Sequence, residues 1–254
     1  MVDSFIKPDF VFETSWEVCN KTGGIHTVIS SKANILVDQF DDRVIFIGPD
    51  VWRGSRKNPE FIPDNKLYAD WQMALQSEGL RVKTGRWNIK GRPVVLLVDF
   101  SSLVARKNEI LARLWESFKL DSLSGQWDYV EPALFGYAVG MVIESYYKFY
   151  IADSEKAVAH FHEWMSGSGA LYLNDHLPRV GTVFTTHATV VGRSLAGRGE
   201  PLFDHLEEYD ADARASELSV VSKHSMEKTT AGNVDCFTTI SEITARECTA
   251  FLSR

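Results

Sequence analysis

Apolar residues along the chain fall in short runs that alternate with longer stretches of helical spacing. The first run, residues 10–13, is Phe10, Val11 and Phe12 closing on Glu13. Beyond a polar loop, Ile25, Val28, Ile29, Ala33, Leu36 and Val37 recur at intervals of three and four, the period of one helix face. Residues 43–47 (RVIFI) are a second apolar run, closed by Gly48-Pro49, and predict a strand buried on both sides. Strand, helix and strand in that order predict a right-handed parallel crossover. Residues 50–64, rich in Pro, Asn, Gly and charge, predict a loop. Residues 81–89 alternate weakly, 90–93 (KGRP) carry turn chemistry and 94–98 are strongly apolar, so two neighbouring antiparallel strands are predicted.

The second half repeats the pattern. A short helix is predicted around 110–118. Pro132 is placed to open a long helix running to about 150, apolar nearly all round and therefore buried. Strands are predicted at 157–161, leading into His160 and His162, at 180–185, ending on Thr186-His187, and at 235–240. Helices are predicted at 167–173, at 212–231 as one long element, and at 241–253 with Ser241 as N-cap. Strands that each lead through a polar junction into a helix argue for an α/β fold. The prediction is a Rossmann-like, open, mostly parallel sheet with helices on both faces. No internal repeat or low-complexity segment interrupts it.

Composition narrows the class. The 254 residues are 44% hydrophobic, enough for a sizeable core. The formal charge is -7 without a long Lys/Arg run, which argues against nonspecific nucleic-acid binding; a local basic cluster can still take an anionic small ligand. Cys19, Cys236 and Cys248 are odd in number and form no CxxC, as expected of free thiols in a reducing compartment. The first residues carry acid and proline and do not read as a signal peptide, and no apolar run has membrane-spanning length. A soluble, cytoplasmic protein without a membrane partner is expected. The seven tryptophans read mainly as packing and leave oligomeric state open.

In open parallel sheets, ligands sit at the carboxyl ends of strands, and three polar groups are placed there. The first is Lys21-Thr22-Gly23-Gly24. Glycines at a strand-to-helix turn leave N–H groups bare at the positive helix end, a seat for phosphate to which Lys21 adds charge; a tight turn needing glycine only for its angles explains the pair equally. The second is His160-Phe161-His162-Glu163-Trp164. Histidines two apart on a strand share a face and can take a metal, but no third ligand is evident, and no metal is predicted. The other readings are an internally bonded histidine, or a polar site in which Glu163 and a histidine face a ligand. The third is His187, followed by Ala188, Thr189 and, six residues on, Arg193. His187 can offer a hydrogen bond to a sugar or carboxylate, or be a helix-capping or core histidine. Arg193 can form a fork to phosphate, or stand solvated on a helix. The G-x-G-x-x-G, Walker A and G-x-S-x-G patterns are missing, so nicotinamide, P-loop and serine-hydrolase chemistry lose support.

The segments WEVCNKTGGIHTVI (16–29), HFHEWMSG (160–167), FTTHATVVGR (184–193) and FTTISEITAREC (237–248), in this order and spacing, resemble the amino-terminal half of the glycogen synthase family. The likeness is to the animal and fungal type, glycosyltransferase family 3, rather than to the bacterial and plant starch-synthase type, and it runs from about residue 10 to 251. It implies the GT-B fold, two Rossmann-like domains facing across a cleft. Residues 1–254 would be the N-terminal, acceptor-side domain, and the C-terminal nucleotide-binding domain, with further Arg, Lys and two glutamates of the site, would be absent. It implies retaining transfer of glucose from a nucleotide-glucose, UDP-glucose in most members, to the non-reducing end of an α-1,4-glucan, with no cofactor and no required metal. By motif, Gly23 and Gly24 would approach the donor diphosphate with Lys21 nearby, and Arg193 would help hold it. His187 would hydrogen-bond the donor glucose, and Glu163 with His162 would lie near the reacting centre or the acceptor. The isolated chain is expected to have little or no transferase activity, and a homo-oligomer of the longer protein is left open. UDP- against ADP-glucose is not decided, because base recognition belongs mostly to the other domain. A non-catalytic glucan-binding module on the same fold is the alternative; a nucleotide-binding oxidoreductase is disfavoured by the missing glycine fingerprint.

Overall fold

The computed structural model describes residues 7–52 and 57–253. Its first half runs β1 (Phe10–Thr14), α1 (Ile25–Phe40), β2 (Val44–Pro49), β3 (Phe61–Pro63), α2 (Ala69–Ser77), β4 (Arg81–Trp87), β5 (Val94–Asp99) and α3 (Lys107–Phe118). The second half runs α4 (Trp127–Tyr150), β6 (Ala157–His162), α5 (Trp164–His176), β7 (Gly181–Thr186), α6 (Val190–Gly197), α7 (Ala211–Glu217), α8 (Val221–Asn233), β8 (Cys236–Thr239) and α9 (Glu242–Leu252). One 8-stranded sheet has the order β3-β4-β5-β2-β1-β6-β7-β8. β5, β2, β1, β6, β7 and β8 pair parallel, while β4 and β3 add an antiparallel edge. The mostly parallel α/β sheet, the first crossover and the β4–β5 hairpin are as the pattern predicts.

Helices cover both faces unequally. Alternate strand residues Val11, Val44, Phe46, Val95 and Leu97 meet α1 through Ile29 and Ala33. The opposite set, including Phe12, Ile45, Ile47, Leu96 and Phe161, joins a larger core with side chains of all the other helices. Val28, counted with the apolar stripe of α1, faces outward. The tightest packing is between α4 and α5. A methyl at Gly169 would lie 2.6 Å from the Gly136 carbonyl oxygen and 2.7 Å from the Phe161 ring, so the helices touch backbone to backbone.

Four predicted features differ. Residues 50–64, predicted as loop, contain β3, a three-residue strand too short to carry a period. Helix α2 forms in an interval for which no element is predicted; it buries only Trp71 and Leu75. Helix α4 starts at Trp127, so Pro132 sits inside it, where its missing N–H costs only a bond to the first turn. The single helix predicted over 212–231 is two. Ser219 turns left-handed at φ 57°, the Val220 N–H returns to the Ala215 carbonyl, and α8 starts anew at Val221. Ser241 caps α9 as predicted, its Oγ accepting from the Thr244 N–H.

Replacing Gly169 by alanine is expected to destabilise the fold by about 1–3 kcal/mol, because the methyl meets a backbone carbonyl that cannot swing aside. Gly232 of α8 has open space around it, and Gly232→Ala is expected to be neutral or stabilising. Urea unfolding of both variants checks the pair.

Candidate active site

The chain leaves β1 toward β2 on one side and meets β6 on the other, so the sheet order reverses between β1 and β6, where open α/β sheets leave a crevice. Glu13 pairs in register with His160, and His162 with Thr185. Because side chains alternate along a strand, Glu13, His160, His162 and Thr185 share the α1 face. Lys32 comes down onto them from the second turn of α1.

Glu13 is 4% exposed. Its Oε2 lies 2.8 Å from Lys32 Nζ and 3.0 Å from His162 Nε2, and its Oε1 lies 3.3 Å from His160 Nδ1. His160 Nε2 is 2.6 Å from Thr185 Oγ1, which is 2.6 Å from Thr238 Oγ1. His162 Nδ1 is 3.0 Å from His187 Nε2. Burial alone would push the Glu13 carboxyl up, but the two histidine hydrogen bonds and the charges of His160 and Lys32 together hold it well below the usual range. Burial, with His160 and Lys32 adding, pushes His162 down to about 3 against the pull of Glu13. Burial, then Lys32, His160 and Arg193, pushes His187 down to about 4.

Glu13, His160 and His162 bring ligand atoms within 4.8 Å of one another, so the third group that spacing does not reveal is Glu13. A cation already stands there: the Lys32 ammonium, bonded to Glu13 and 3.4 Å from His162 Nε2. Both histidines are bonded internally.

Glu163 follows β6 with φ 67° and ψ 161°, a conformation suited to glycine, and persists there because its surroundings fix it. Its N–H donates to the Thr185 carbonyl at 2.9 Å. Its Oε1 accepts from the His187 and Ala188 N–H groups at 2.9 and 3.2 Å and lies 3.6 Å from Arg193 Nη2, while Oε2 has no hydrogen-bond partner among the described residues. Burial raises its pKa; Arg193 and the two N–H groups oppose this, and Glu17 adds to it. Arg193 itself, on α6, is 64% exposed in its side chain. The structure thus brings His162, Glu163, His187 and Arg193 together.

Two further carboxylates grip the same loop. Thr189 N–H donates to Glu247 Oε1 at 3.0 Å and Val190 N–H to Glu227 Oε2 at 2.9 Å. Four consecutive N–H groups, 187 to 190, therefore end on buried carboxylates, and the α6 start is a filled anion nest. Burial, with Glu163 adding, raises Glu227 well above the ordinary range.

The glycine loop is also filled. Glu17 Oε2 accepts from the Gly23 and His26 N–H groups at 2.8 and 2.9 Å, so the start of α1 is not bare. Gly24 and Lys21 remain exposed. Glu17 is near enough to Glu163 to add to the upward shift of its pKa. Glu13, Glu17, Lys32, Thr185, Glu227 and Glu247 are the site residues that sequence reasoning misses. The available signal was an acid closing the apolar run 10–13, with Lys32 between apolar positions of α1.

The family model described as glycogen synthase matches residues 13–254. The chain is 34% identical over 248 residues to a glycogen (starch) synthase of Caenorhabditis elegans, covering 96% of this chain and 37% of that protein. To glycogen (starch) synthase isoform 2 of Saccharomyces cerevisiae it is 34% identical over 255 residues, 96% of this chain and 36% of that protein. To the liver glycogen (starch) synthase of Mus musculus it is 32% identical over 245 residues, 96% and 34%. The chain thus spans about a third of the length of these relatives. Among solved structures, the catalytic domain of starch synthase IV from Arabidopsis thaliana, bound to ADP and acarbose, is similar with TM-score 0.50 and 15% identity, over 97% of this chain and 50% of that one. At that identity the likeness is one of fold.

The depressed histidines make the site acid-sensitive. His162 titrates near 6.5 when unfolded and about 3 when folded, so its contribution is present above pH 6.5 and is lost as pH falls toward 3. Going from pH 7 to pH 4.5 is expected to cost roughly 2–3 kcal/mol through His162. Glu163 and Glu227, shifted up, act in the opposite sense. Denaturant unfolding of the chain and of His162→Gln at both pH values isolates the histidine: the variant's stability should fall by that much less.

Proposed function

The chain belongs to the glycogen synthase family of the animal and fungal type, and on that footing we propose that it forms the acceptor-side wall of a glucosyl-transfer site. The reaction is retaining transfer of glucose from UDP-glucose to the non-reducing end of an α-1,4-glucan. A second Rossmann-like domain supplies the opposite wall and most of the nucleotide contacts, so residues 1–254 are the N-terminal half of a GT-B enzyme. The observation that carries this reading is the meeting of His162, Glu163, His187 and Arg193 at the strand reversal. The ADP and acarbose named with the Arabidopsis starch synthase are a nucleotide diphosphate and an oligosaccharide analogue, in keeping with a nucleotide-sugar donor and a glucan acceptor.

The roles follow from the chemistry of a departing diphosphate. The leaving group gains charge, so fixed positive groups lower the barrier. Arg193, already leaning on Glu163, is free to turn its fork to phosphate. Gly23 and Gly24 let the backbone approach the same group, with Lys21 adding charge, once Glu17 yields its two N–H donors. His187 bonds the donor sugar. Glu163, with its pKa raised and Oε2 unengaged among the described residues, faces the reacting centre. Cys19, Cys236 and Cys248 are free thiols, in keeping with work in the cytoplasm.

The test is turnover of UDP-glucose onto glycogen or maltooligosaccharides by the full-length protein. His187→Ala and Arg193→Ala are each expected to lower kcat/KM by roughly a hundredfold or more, and the 254-residue chain alone is expected to show almost none. Near-normal turnover in both variants removes the site assignment; robust turnover by the short chain removes the half-enzyme reading.

A further inference from the structure

The hydrogen-bond chain Glu13–His162–His187 has one consistent placement of protons. An ionised carboxylate only accepts, so the 3.0 Å contact between Glu13 Oε2 and His162 Nε2 needs the proton on that nitrogen. Lys32 Nζ is a rival donor to His162 Nε2, at 3.4 Å. It is 2.8 Å from the same carboxylate oxygen, however, and a lone pair on Nε2 would set two acceptors 3.0 Å apart. The carboxylate wins. A neutral His162 then has a lone pair on Nδ1, and the 3.0 Å contact from that atom to His187 Nε2 puts a proton on His187 Nε2. His187 is left with Nδ1, which has no partner among the described residues and is not among their fully sealed polar atoms.

We propose that Glu13 is a positioning residue: through His162 it holds His187 as the neutral Nε2–H tautomer, so that Nδ1 presents a lone pair to a hydroxyl of the donor sugar. This rests on the reading of His187 as a donor-sugar contact. The groups facing the two rings agree with it. Beside burial, His160 and Lys32 oppose a second proton on His162, while Lys32, His160 and Arg193 oppose one on His187, and both rings are shifted downward. Glu163 bonds the backbone of His187, not its ring. His160 holds the other oxygen of Glu13, and its far nitrogen is met by Thr185, itself bonded to Thr238, so the carboxylate cannot turn away. The consequence is specificity. As a pure acceptor, His187 takes a sugar hydroxyl and repels a carboxylate or phosphate, which leaves anion binding to Arg193 and the glycine loop.

Long-range proton–nitrogen correlation spectra of the full-length protein, with ring-labelled histidine, read the tautomers directly. His162→Gln and His187→Gln assign the signals. At pH 7, both rings are expected to be neutral with Nε2 protonated. A wild-type His187 found with Nδ1 protonated, or as imidazolium, overturns the proposal whether or not any variant folds. Glu13→Gln, which keeps the shape and removes the charge, is expected to mix the tautomers of both rings and to lower kcat for glucosyl transfer roughly ten- to hundredfold or more. Unchanged spectra and rate in Glu13→Gln, with transfer lost in His187→Ala, overturn the role of Glu13 and leave the site standing. Transfer intact in His187→Ala overturns the site reading itself.

Discussion

A carboxylate closed off from water at the end of β1 is the constraint on which this site depends. Glu13 cannot be buried alone: an isolated charge in an apolar interior is costly enough that it must be paired, hydrogen-bonded or neutralised. Here it is paired and bonded three times over, by Lys32 from α1 and by His160 and His162 from β6. Each partner fixes something else. Lys32 ties α1 to the carboxyl edge of the sheet, His160 passes the constraint to the threonines of β7 and β8, and His162 passes it to His187. Four strands, β1, β6, β7 and β8, and one helix are held in one register around a single carboxyl group, where apolar packing alone would tolerate small slips.

A second economy runs through the loops. Helix starts at α1 and α6 both present N–H groups with a partial positive charge, and both are met by carboxylates of the chain itself. At α6 the acids are Glu227 from α8 and Glu247 from α9, so the conformation of the 187–190 loop is tied to the placement of those two helices. The strained backbone of Glu163 belongs to the same assembly: its carboxylate bonds the loop while its N–H bonds β7.

The legible part of the molecule was the part governed by local period. The strands of the sheet centre announce themselves because both sides are buried, and His160 and His162 were visible on one face because strand alternation requires it. Ser241 was readable as a cap. What escaped has a physical reason each time. β3 is shorter than any period, α2 buries too little to mark itself, and the break at Ser219 depends on a left-handed residue that is not glycine. Pro132 reads as a helix start until tertiary burial carries the helix back to Trp127. Of the residues that motif and position single out, His162, Glu163, His187 and Arg193 meet at the strand ends, whereas Glu13, Lys32, Glu227 and Glu247 carry no such signal. Their meaning lies in partners distant along the chain, and no spacing rule joins residue 13 to residue 162.

Glu17 gives the glycine loop a character beyond mere preparation. An anion reaching the start of α1 finds a resident acid on the Gly23 and His26 donors, so its uptake is an ion exchange rather than an addition. Selectivity then follows the difference between two anions and not the strength of either. A multiply charged diphosphate has the advantage over the single charge it replaces, while a chloride or a metabolite carboxylate gains almost nothing by the swap. Under the proposed donor-binding role, the loop is in effect a resin already in its carboxylate form, exchanged only for an anion of higher charge.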